Sequence, residues 1–275
     1  TGQEAYFVKS LARGLAVLSA FTPGRPELSL SDIAAVAGVS NPSALRIGYT
    51  LVELGFLTRN PVTKGYRIGP GVLKLGMASL SSLSLPEVAE PYLAALRDEL
   101  GETVKMAVLH DTEMVYVARY PAPGTFTGAN VFIGSRLPAA QTCTGRAILA
   151  LLDEREARQI VERSHLERFT EHSLTGVDEV MAELAATRAR GHSVNDRGTT
   201  VEHRSAAVAL VDATGHPVGA INVSVSAQRV GVRELQTRLV PALKATAERI
   251  SALLPPAPRA PAGRPYLSAV AADGG

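Results

Sequence analysis

The chain has 275 residues, 46% of them hydrophobic, which is enough to bury a core of ordinary size and predicts two domains. Its one cysteine, Cys143, excludes an intramolecular disulfide and a zinc site made from several cysteines. The six histidines lack metal-ligand spacing, so we expect neither a metal nor a cofactor. We recognise no signal peptide and no apolar run of about 18 residues, and therefore expect a cytoplasmic protein without a membrane partner.

Positive charge is concentrated in the first third of the chain. Residues 1–84 contain 8 Lys and Arg against 4 Asp and Glu, whereas residues 85–275 contain 20 against 22. A basic excess confined to one part of a chain is typical of a nucleic-acid-binding module. The distribution therefore predicts an N-terminal DNA-binding domain joined to a nearly neutral second domain.

Two short amphipathic segments joined by a turn at Gly38 lie within residues 28–57. Ser29, followed by Asp32, is typical of a capped helix start with an acidic first turn. A further helix over residues 10–21 presents leucines on one side and completes a three-helix core. Two helices joined by a tight turn are how a small domain presents a helix to DNA, so this region predicts a helix-turn-helix.

The second helix of this motif carries the candidate DNA-reading residues. Ala44, Ile47 and Leu51 recur at i, i+3 and i+7 and should face the core. The candidate readers on its other faces are Asn41, Ser43, Leu45, Arg46 and Tyr49. Arg46 can bond two acceptors of one guanine, whereas Leu45 offers only an apolar contact, for example to a thymine methyl group.

Residues 58–68 are predicted to form a β-hairpin, the wing of a winged helix, with its turn around Asn60, Pro61 and Gly65. The basic residues on or beside this hairpin are Arg59, Lys64 and Arg67. Such cations can lie along the phosphate backbone and fix the register of the protein on the duplex. An ordinary αα-hairpin is the alternative interpretation, but the order of helix, turn, helix and basic hairpin favours DNA contact.

The remaining elements predict an α+β domain preceded by a connecting helix over residues 71–85. Pro91 should kink or restart the next helix, so that a fresh segment covers residues 92–100. The expected strands are 103–109, 113–119, 129–134, 192–196, 204–211 and 217–226, and the expected helices are 142–152, 154–163, 177–190 and 232–254. Strands interleaved with terminal helices are typical of this mixed fold class.

Residues 221–226, with the sequence INVSVS, alternate strictly between apolar and polar side chains. This pattern predicts a sheet with one face in the core and the other either wet or facing a ligand. The Pro-, Ala- and Gly-rich tail over residues 255–275 is expected to be disordered, and we assign it no function.

The chain resembles the IclR family of bacterial transcriptional regulators from about residue 10 to residue 254. The motifs that carry this resemblance, in order, are SLARGLAVL, LSLSDIAAVAGVS, TLVELGFL, GYRIGPGVLKLG, GETVKMAVL, GSRLPAAQTCTGRAILA and RSAAVALV. Within the family, the chain looks most similar to regulators of protocatechuate, 4-hydroxybenzoate and β-ketoadipate catabolism. The resemblance implies a ligand-responsive repressor or activator that binds operator DNA as a homodimer or homotetramer.

The resemblance also implies how the chain is divided into functional domains. We expect a winged helix-turn-helix DNA-binding domain over residues 1–70 and a linker helix over residues 71–90. A GAF-like effector-binding domain is expected over residues 91–254, followed by the disordered tail. The effector would be a small organic acid, such as an intermediate of aromatic catabolism.

By the same resemblance, the effector pocket should be built around Thr142, Cys143, Thr144, Gly145, Asp196 and Ser205. Amide groups at a helix N-terminus attract a carboxylate, and a serine hydroxyl can donate to it. Arg146 and Arg204 are candidate countercharges, while Asp196 can accept from a ligand hydroxyl or hold a neighbouring cation. Arg197 and Gly198 stand where the family usually has acidic residues, so the polarity of this pocket is expected to differ.

Two alternatives remain open from the sequence. Cys143 lies at a predicted helix start, where the helix dipole lowers a thiol pKa, so it could be the nucleophile of an enzyme. No recognised cysteine and histidine signature accompanies it, and a lone cysteine is usually a packed small hydrophobe. In the other alternative, the second domain serves only for oligomerisation. A pocket with converging polar groups would favour sensing, whereas a fully packed interior would favour assembly.

Overall fold

A computed structural model describes residues 7–22, 24–75, 84–124 and 131–256. The chain divides into two compact units, one within residues 1–82 and the other within residues 83–262. The predicted tail lies outside the described residues except for positions 255 and 256. The connecting helix is described only over residues 71–75, which are helical.

The first unit contains the predicted helix-turn-helix and hairpin. Its elements are α1 (Lys9–Ser19), α2 (Leu30–Ala37), α3 (Asn41–Glu53), β1 (Leu57–Arg59) and β2 (Tyr66–Ile68), with the two strands antiparallel. The start of α2 is fixed by a reciprocal cap, because the Ser29 hydroxyl accepts from the Asp32 amide at 3.1 Å and the Asp32 carboxylate accepts from the Ser29 amide at 2.8 Å. Gly38 ends α2 with a left-handed φ of 60°.

Helix α3 and strand β2 approach each other closely at Gly48. A β-carbon added at Gly48 would lie 2.9 Å from the ring of Tyr66, whose side chain is buried. Ala44, Gly48 and Leu51 are the buried residues of α3, whereas the predicted core residue Ile47 is only partly buried. The absence of a side chain at position 48 therefore lets the hairpin pack closely against α3.

The described residues of the second unit form a six-stranded sheet with helices packed against it. Its helices are α4 (Ser84–Leu100), α5 (Cys143–Leu149), α6 (Glu154–Arg163), α7 (Val177–Arg190), α8 (Val232–Glu234) and α9 (Val240–Ser251), with a 3₁₀ turn at Ala139–Gln141 and a π-helical segment at Leu235–Leu239. Its strands are β3 (Thr103–His110), β4 (Glu113–Tyr120), β5 (Arg136–Pro138), β6 (Ser193–Asp196), β7 (His203–Val211) and β8 (Pro217–Ser226). The mixed α+β class is thereby confirmed.

All six strands pair antiparallel in the order β5-β4-β3-β8-β7-β6, so that β6 is an edge strand. Helices α4 and α9 contact one another, and they pack on β3 and β7 respectively, while α5 packs on β7 and β8. The alternation over residues 221–226 is present, but both faces of this strand are buried. Asn222 and Ser224 are 2% and 7% exposed, so the expected wet face is instead enclosed.

Two predicted elements are wrong. Helix α4 runs through Pro91 without a restart, because Ala89, Leu93 and Leu96 are buried along one side of it and their packing outweighs the lost backbone hydrogen bond. The described part of the strand expected at 129–134 contains no strand: residues 133 and 134 form a turn, and the observed strand begins at Arg136. Gly134, with φ of 89°, ends any extended backbone there.

Candidate functional site

The exposed faces of α3 present all five residues predicted to read DNA. Leu45 and Tyr49 are 45% and 64% exposed, and Asn41, Ser43 and Arg46 are also exposed. Within the described part of the chain, the Arg46 side chain makes neither a hydrogen bond nor an ion pair. Its guanidinium is therefore available for a base edge or a phosphate.

The wing is held by an acidic residue that sequence reasoning missed. Glu27 accepts hydrogen bonds from the Thr63 hydroxyl, from Asn60 Nδ2 at 3.2 Å and from Arg67 Nε at 2.6 Å. These hydrogen bonds, with that from Thr63 the largest contributor, lower the pKa of the Glu27 carboxyl. Arg67 is thus tied to Glu27. Glu27 precedes its three partners by 33, 36 and 40 residues, so no local sequence signal indicated these contacts.

The other two basic residues of the wing also make contacts within it. Arg59 Nε donates to the Lys64 carbonyl at 3.3 Å, and its guanidinium lies 5.7 Å from the centre of the Tyr66 ring. Lys64 Nζ donates to the Pro61 carbonyl at 2.7 Å from an exposed position in the turn. Contacts within the wing and with Glu27 therefore position all three of its basic side chains.

In the second unit, a cavity of about 40 Å³ lies between α5 and the polar face of the sheet. We call it the inner cavity. It is lined by Lys105, Tyr116, Val131, Leu137, Thr142, Cys143, Asn195, Thr199, His203, Ser205, Asn222 and Ser224. Three of the predicted effector residues, Thr142, Cys143 and Ser205, are among them. The other lining residues were missed.

Lys105 is the cation of the inner cavity. Its side chain points from β3 toward α5, it is 3% exposed, and Nζ donates to the Ser224 hydroxyl at 3.1 Å. No carboxylate among the described residues forms an ion pair with it. Burial lowers the pKa of Lys105 from its usual 10.5 to about 8. The sequence signal for this buried cation was a lysine at position 105 within a strand of alternating pattern.

Cys143 Sγ lies 3.1 Å from the Ser205 hydroxyl, and the thiol is buried. Burial raises the pKa of the Cys143 thiol, which is opposite to the lowering expected at a helix start. The lowered thiol pKa predicted from the helix dipole is wrong, because removal of water from the thiolate outweighs the field of a seven-residue helix. Cys143 therefore lines the cavity as an uncharged thiol at physiological pH.

Thr144 and Gly145 serve the packing of α5 within the described structure. The Thr142 hydroxyl caps the helix by accepting from the Gly145 amide at 3.1 Å, which occupies one amide predicted to face a ligand. A β-carbon at Gly145 would collide with the Ala139 carbonyl. The Thr144 hydroxyl lies 3.5 Å from that of Tyr116 and is fully buried.

The three predicted charged residues do not line the inner cavity. Arg204 Nε donates to Asp196 Oδ1 at 2.6 Å, and its Nη1 donates to two backbone carbonyls. Arg146 instead reaches the edge strand β6, where its Nη2 donates to the Val194 carbonyl at 2.8 Å. Asp196 and Arg146 line a second, larger cavity, which we call the outer cavity.

Membrane-spanning helices and metal-binding clusters are both absent from the residues that the structure describes. No helix among them has the length and apolar character needed to cross a membrane. No group of three or more His, Cys, Asp and Glu side chains in the same ranges is placed to hold a metal ion.

Comparison with known families decides the identity of the two units. The IclR helix-turn-helix domain matches residues 10–61, and the bacterial transcriptional regulator IclR C-terminal domain matches residues 77–252. The chain belongs to the IclR family. It is therefore a transcriptional regulator with a DNA-binding helix-turn-helix domain, and the alternative of an enzyme acting through Cys143 is not supported.

Full-length relatives of this IclR regulator share both units. It is 36% identical to the Pca regulon regulatory protein of Pseudomonas putida, over 87% of this chain and 81% of that protein. It is 29% identical to the p-hydroxybenzoate hydroxylase transcriptional activator of Acinetobacter baylyi, over 90% and 92% of the two chains. A solved IclR family transcriptional regulator from Brucella abortus matches it with a TM-score of 0.77 and 30% identity, over 93% and 95% of the chains. The family prediction is confirmed.

Proposed function

We propose that this IclR regulator binds a small organic acid in the inner cavity and that the bound acid changes the affinity of the first unit for its operator. The observation that carries this proposal is Lys105, a buried ammonium group in a polar cavity without an ion-pairing carboxylate among the described residues. The names of the two relatives support an acid from aromatic catabolism. A regulator of bacterial genes acts on chromosomal DNA, so we place it in the cytoplasm.

The energetics of Lys105 favour an anionic ligand. Lowering its pKa from 10.5 to about 8 corresponds to about 3 kcal/mol of lost stability for the charged form. A carboxylate placed beside Nζ would offset this cost through a charge-assisted hydrogen bond in a site shielded from water. The Ser205 hydroxyl and the Asn195 amide lie along the same cavity and can orient the acid.

The size of the inner cavity suggests how binding is transmitted. A volume of about 40 Å³ holds a carboxylate but not an aromatic ring. An aromatic acid would therefore bind a conformation in which α5 and the sheet lie further apart, and a ligand that prefers one conformation shifts the population toward it. The converging polar groups favour sensing over a second domain that serves only for oligomerisation.

On the DNA side, we propose that Arg46 reads a base edge and that Asn41, Ser43, Leu45 and Tyr49 complete the contact surface of α3. Lys64 would contact phosphate, while Arg59 and Arg67 position the wing. We retain the functional division into residues 1–70, 71–90 and 91–254. A homodimer or homotetramer would place two recognition helices on half-sites one helical turn or a multiple apart.

The test combines ligand binding with DNA binding. Duplexes selected by the protein from a random library provide an operator, and anisotropy at fixed salt measures its affinity with and without 4-hydroxybenzoate, protocatechuate or β-ketoadipate. We expect at least one acid to raise the melting temperature and to change operator affinity by about fivefold or more. The amide of 4-hydroxybenzoate is the neutral control. Failure of all three acids to alter either quantity would contradict the proposal.

A further inference from the structure

The outer cavity has a volume of about 300 Å³ and opens beside the edge strand β6. It is lined by Gln141, Arg146, His172, Leu174, Glu183, Arg190, Val194, Asn195, Asp196, Gly198 and Gln236. It is several times larger than the inner cavity and is lined mostly by polar groups. Asn195 borders both cavities, so they adjoin each other at strand β6.

Most charged groups around the outer cavity have partners of opposite charge. Arg190 Nη2 pairs with the Glu183 carboxylate, and Arg204 Nε pairs with the Asp196 carboxylate at 2.6 Å. Arg190 also donates to the His192 carbonyl at 2.7 Å. These pairs leave the two acidic side chains of the lining neutralised by neighbouring arginines.

Arg146 differs from its neighbours because no carboxylate among the described residues forms an ion pair with it. It is 3% exposed, Nη2 donates to the Val194 carbonyl, and Nε is buried without a hydrogen-bond partner in the described part of the chain. A guanidinium group stays protonated in proteins, and burying it without a counter-ion is costly. The cavity therefore contains a buried guanidinium with no ion pair of its own among the described residues, near the Arg190–Glu183 pair, together with room for a ligand.

We propose that the outer cavity is a second ligand site, which takes a small oxyanion, carboxylate or phosphate, against the guanidinium of Arg146. A guanidinium presents planar, paired donors that match both kinds of anion. His172, which is partly exposed, and Gln236, which is exposed, stand in the same lining and can contact the rest of the molecule. This site is distinct from the inner cavity and does not depend on which acid binds there.

The test uses charge changes at the exposed Gln236, because substitution of the buried Arg146 can disturb folding. Calorimetric titrations with inorganic phosphate and with succinate, at constant ionic strength, compare the wild type with Gln236→Glu and Gln236→Lys. We expect Glu to weaken and Lys to tighten anion binding by about fivefold. Gln228→Glu, also at an exposed glutamine but outside the cavity, is the matched control and should change binding less than twofold.

A Lys105→Met background separates this site from the inner cavity. Binding at the outer cavity should persist in that background and should disappear in Arg146→Met, whose fold is checked by circular dichroism. Saturation by phosphate alone would identify a phosphorylated ligand, and saturation by succinate alone would identify a carboxylic acid. Absence of saturable binding by both anions, or equal affinities in the two Gln236 variants, would overturn the second site.

Discussion

The two units of this IclR regulator use positive charge in opposite ways. In the first unit, Arg46 and Lys64 are exposed, and Arg67 at the surface is paired with Glu27. In the second unit, Lys105 and Arg146 are each 3% exposed and form no ion pair with a described carboxylate. Exposed cations suit a polyanion such as DNA, whose affinity falls as the salt concentration rises. Buried cations suit a small anion, which must lose its hydration shell to reach them. Differences in solvent access therefore suit the two units to different anions.

The largest expected effect comes from removing the buried cation of the inner cavity. Lys105→Met should lower affinity for organic acids about 100-fold, and it should also raise the melting temperature of the ligand-free protein, because an uncompensated buried charge disappears. A gain of up to about 3 kcal/mol is expected from the lowered pKa. Calorimetry and thermal unfolding measure the two quantities. A less stable variant with unchanged acid affinity would mean that Lys105 is structural.

The second prediction concerns pH. Because the folded pKa of Lys105 is lowered to about 8, the charged form destabilises the fold below that pH, and this penalty fades as pH rises from about 8 toward 10.5. Acid binding needs the charged form, so affinity should be level below pH 8 and fall about tenfold per pH unit above it. Titrations at several pH values check this slope. Lys105→Met should show no such dependence, and a wild type equally flat would refute the assigned anchor.

The third prediction separates two exposed cations of the first unit. Arg46→Ala should cost about 1 to 3 kcal/mol of operator binding and relax base preference at one position. Lys64→Gln, the matched control, should weaken all sequences alike and reduce the slope of log affinity against log salt by about 0.9. Anisotropy with the selected operator and scrambled duplexes measures both. Equal losses on both kinds of duplex would reassign Arg46 to a phosphate contact.

The smallest expected effect is at Glu27. Its folded pKa is lowered, so its contribution to wing stability is present above the usual pKa of 4.5 and is lost as pH falls through the folded value. Glu27→Gln should therefore make the wing equally ordered across the acidic range, with less protection than the wild type at neutral pH. Hydrogen exchange of the Lys64 and Gly65 amides reports this, with Glu53→Gln as a control. Unchanged protection at neutral pH would show that Glu27 does not order the wing.

Local chemistry explains which elements were predictable from sequence. The cap at Ser29 and the turn at Gly38 depend on residues within a few positions of each other, and both were predicted correctly. The helix restart predicted at Pro91 is wrong because α4 is held by packing against residues that are distant in sequence. The strand predicted at 129–134 is wrong because the turn at Gly134 delays the start of the strand to Arg136.

The cavities were less predictable because their residues come from separate strands. Cys143 and Ser205 meet only after β7 pairs with β8 and α5 packs on both. Lys105 looked like one polar residue in an alternating strand, and nothing local shows that it would lack a counter-ion. Arg204 and Arg146 look alike in sequence, yet one is neutralised by Asp196 and the other is not.

The contact between Gly48 and Tyr66 has a consequence for how genes are recognised. With no side chain at position 48, the α3 backbone packs directly on the Tyr66 ring of the hairpin. A β-carbon there would meet that buried ring at 2.9 Å, so an alanine or larger residue would force the ring to shift. We expect such a change to alter the angle between α3 and the wing, and operator binding with it, although position 48 faces the Tyr66 ring rather than solvent.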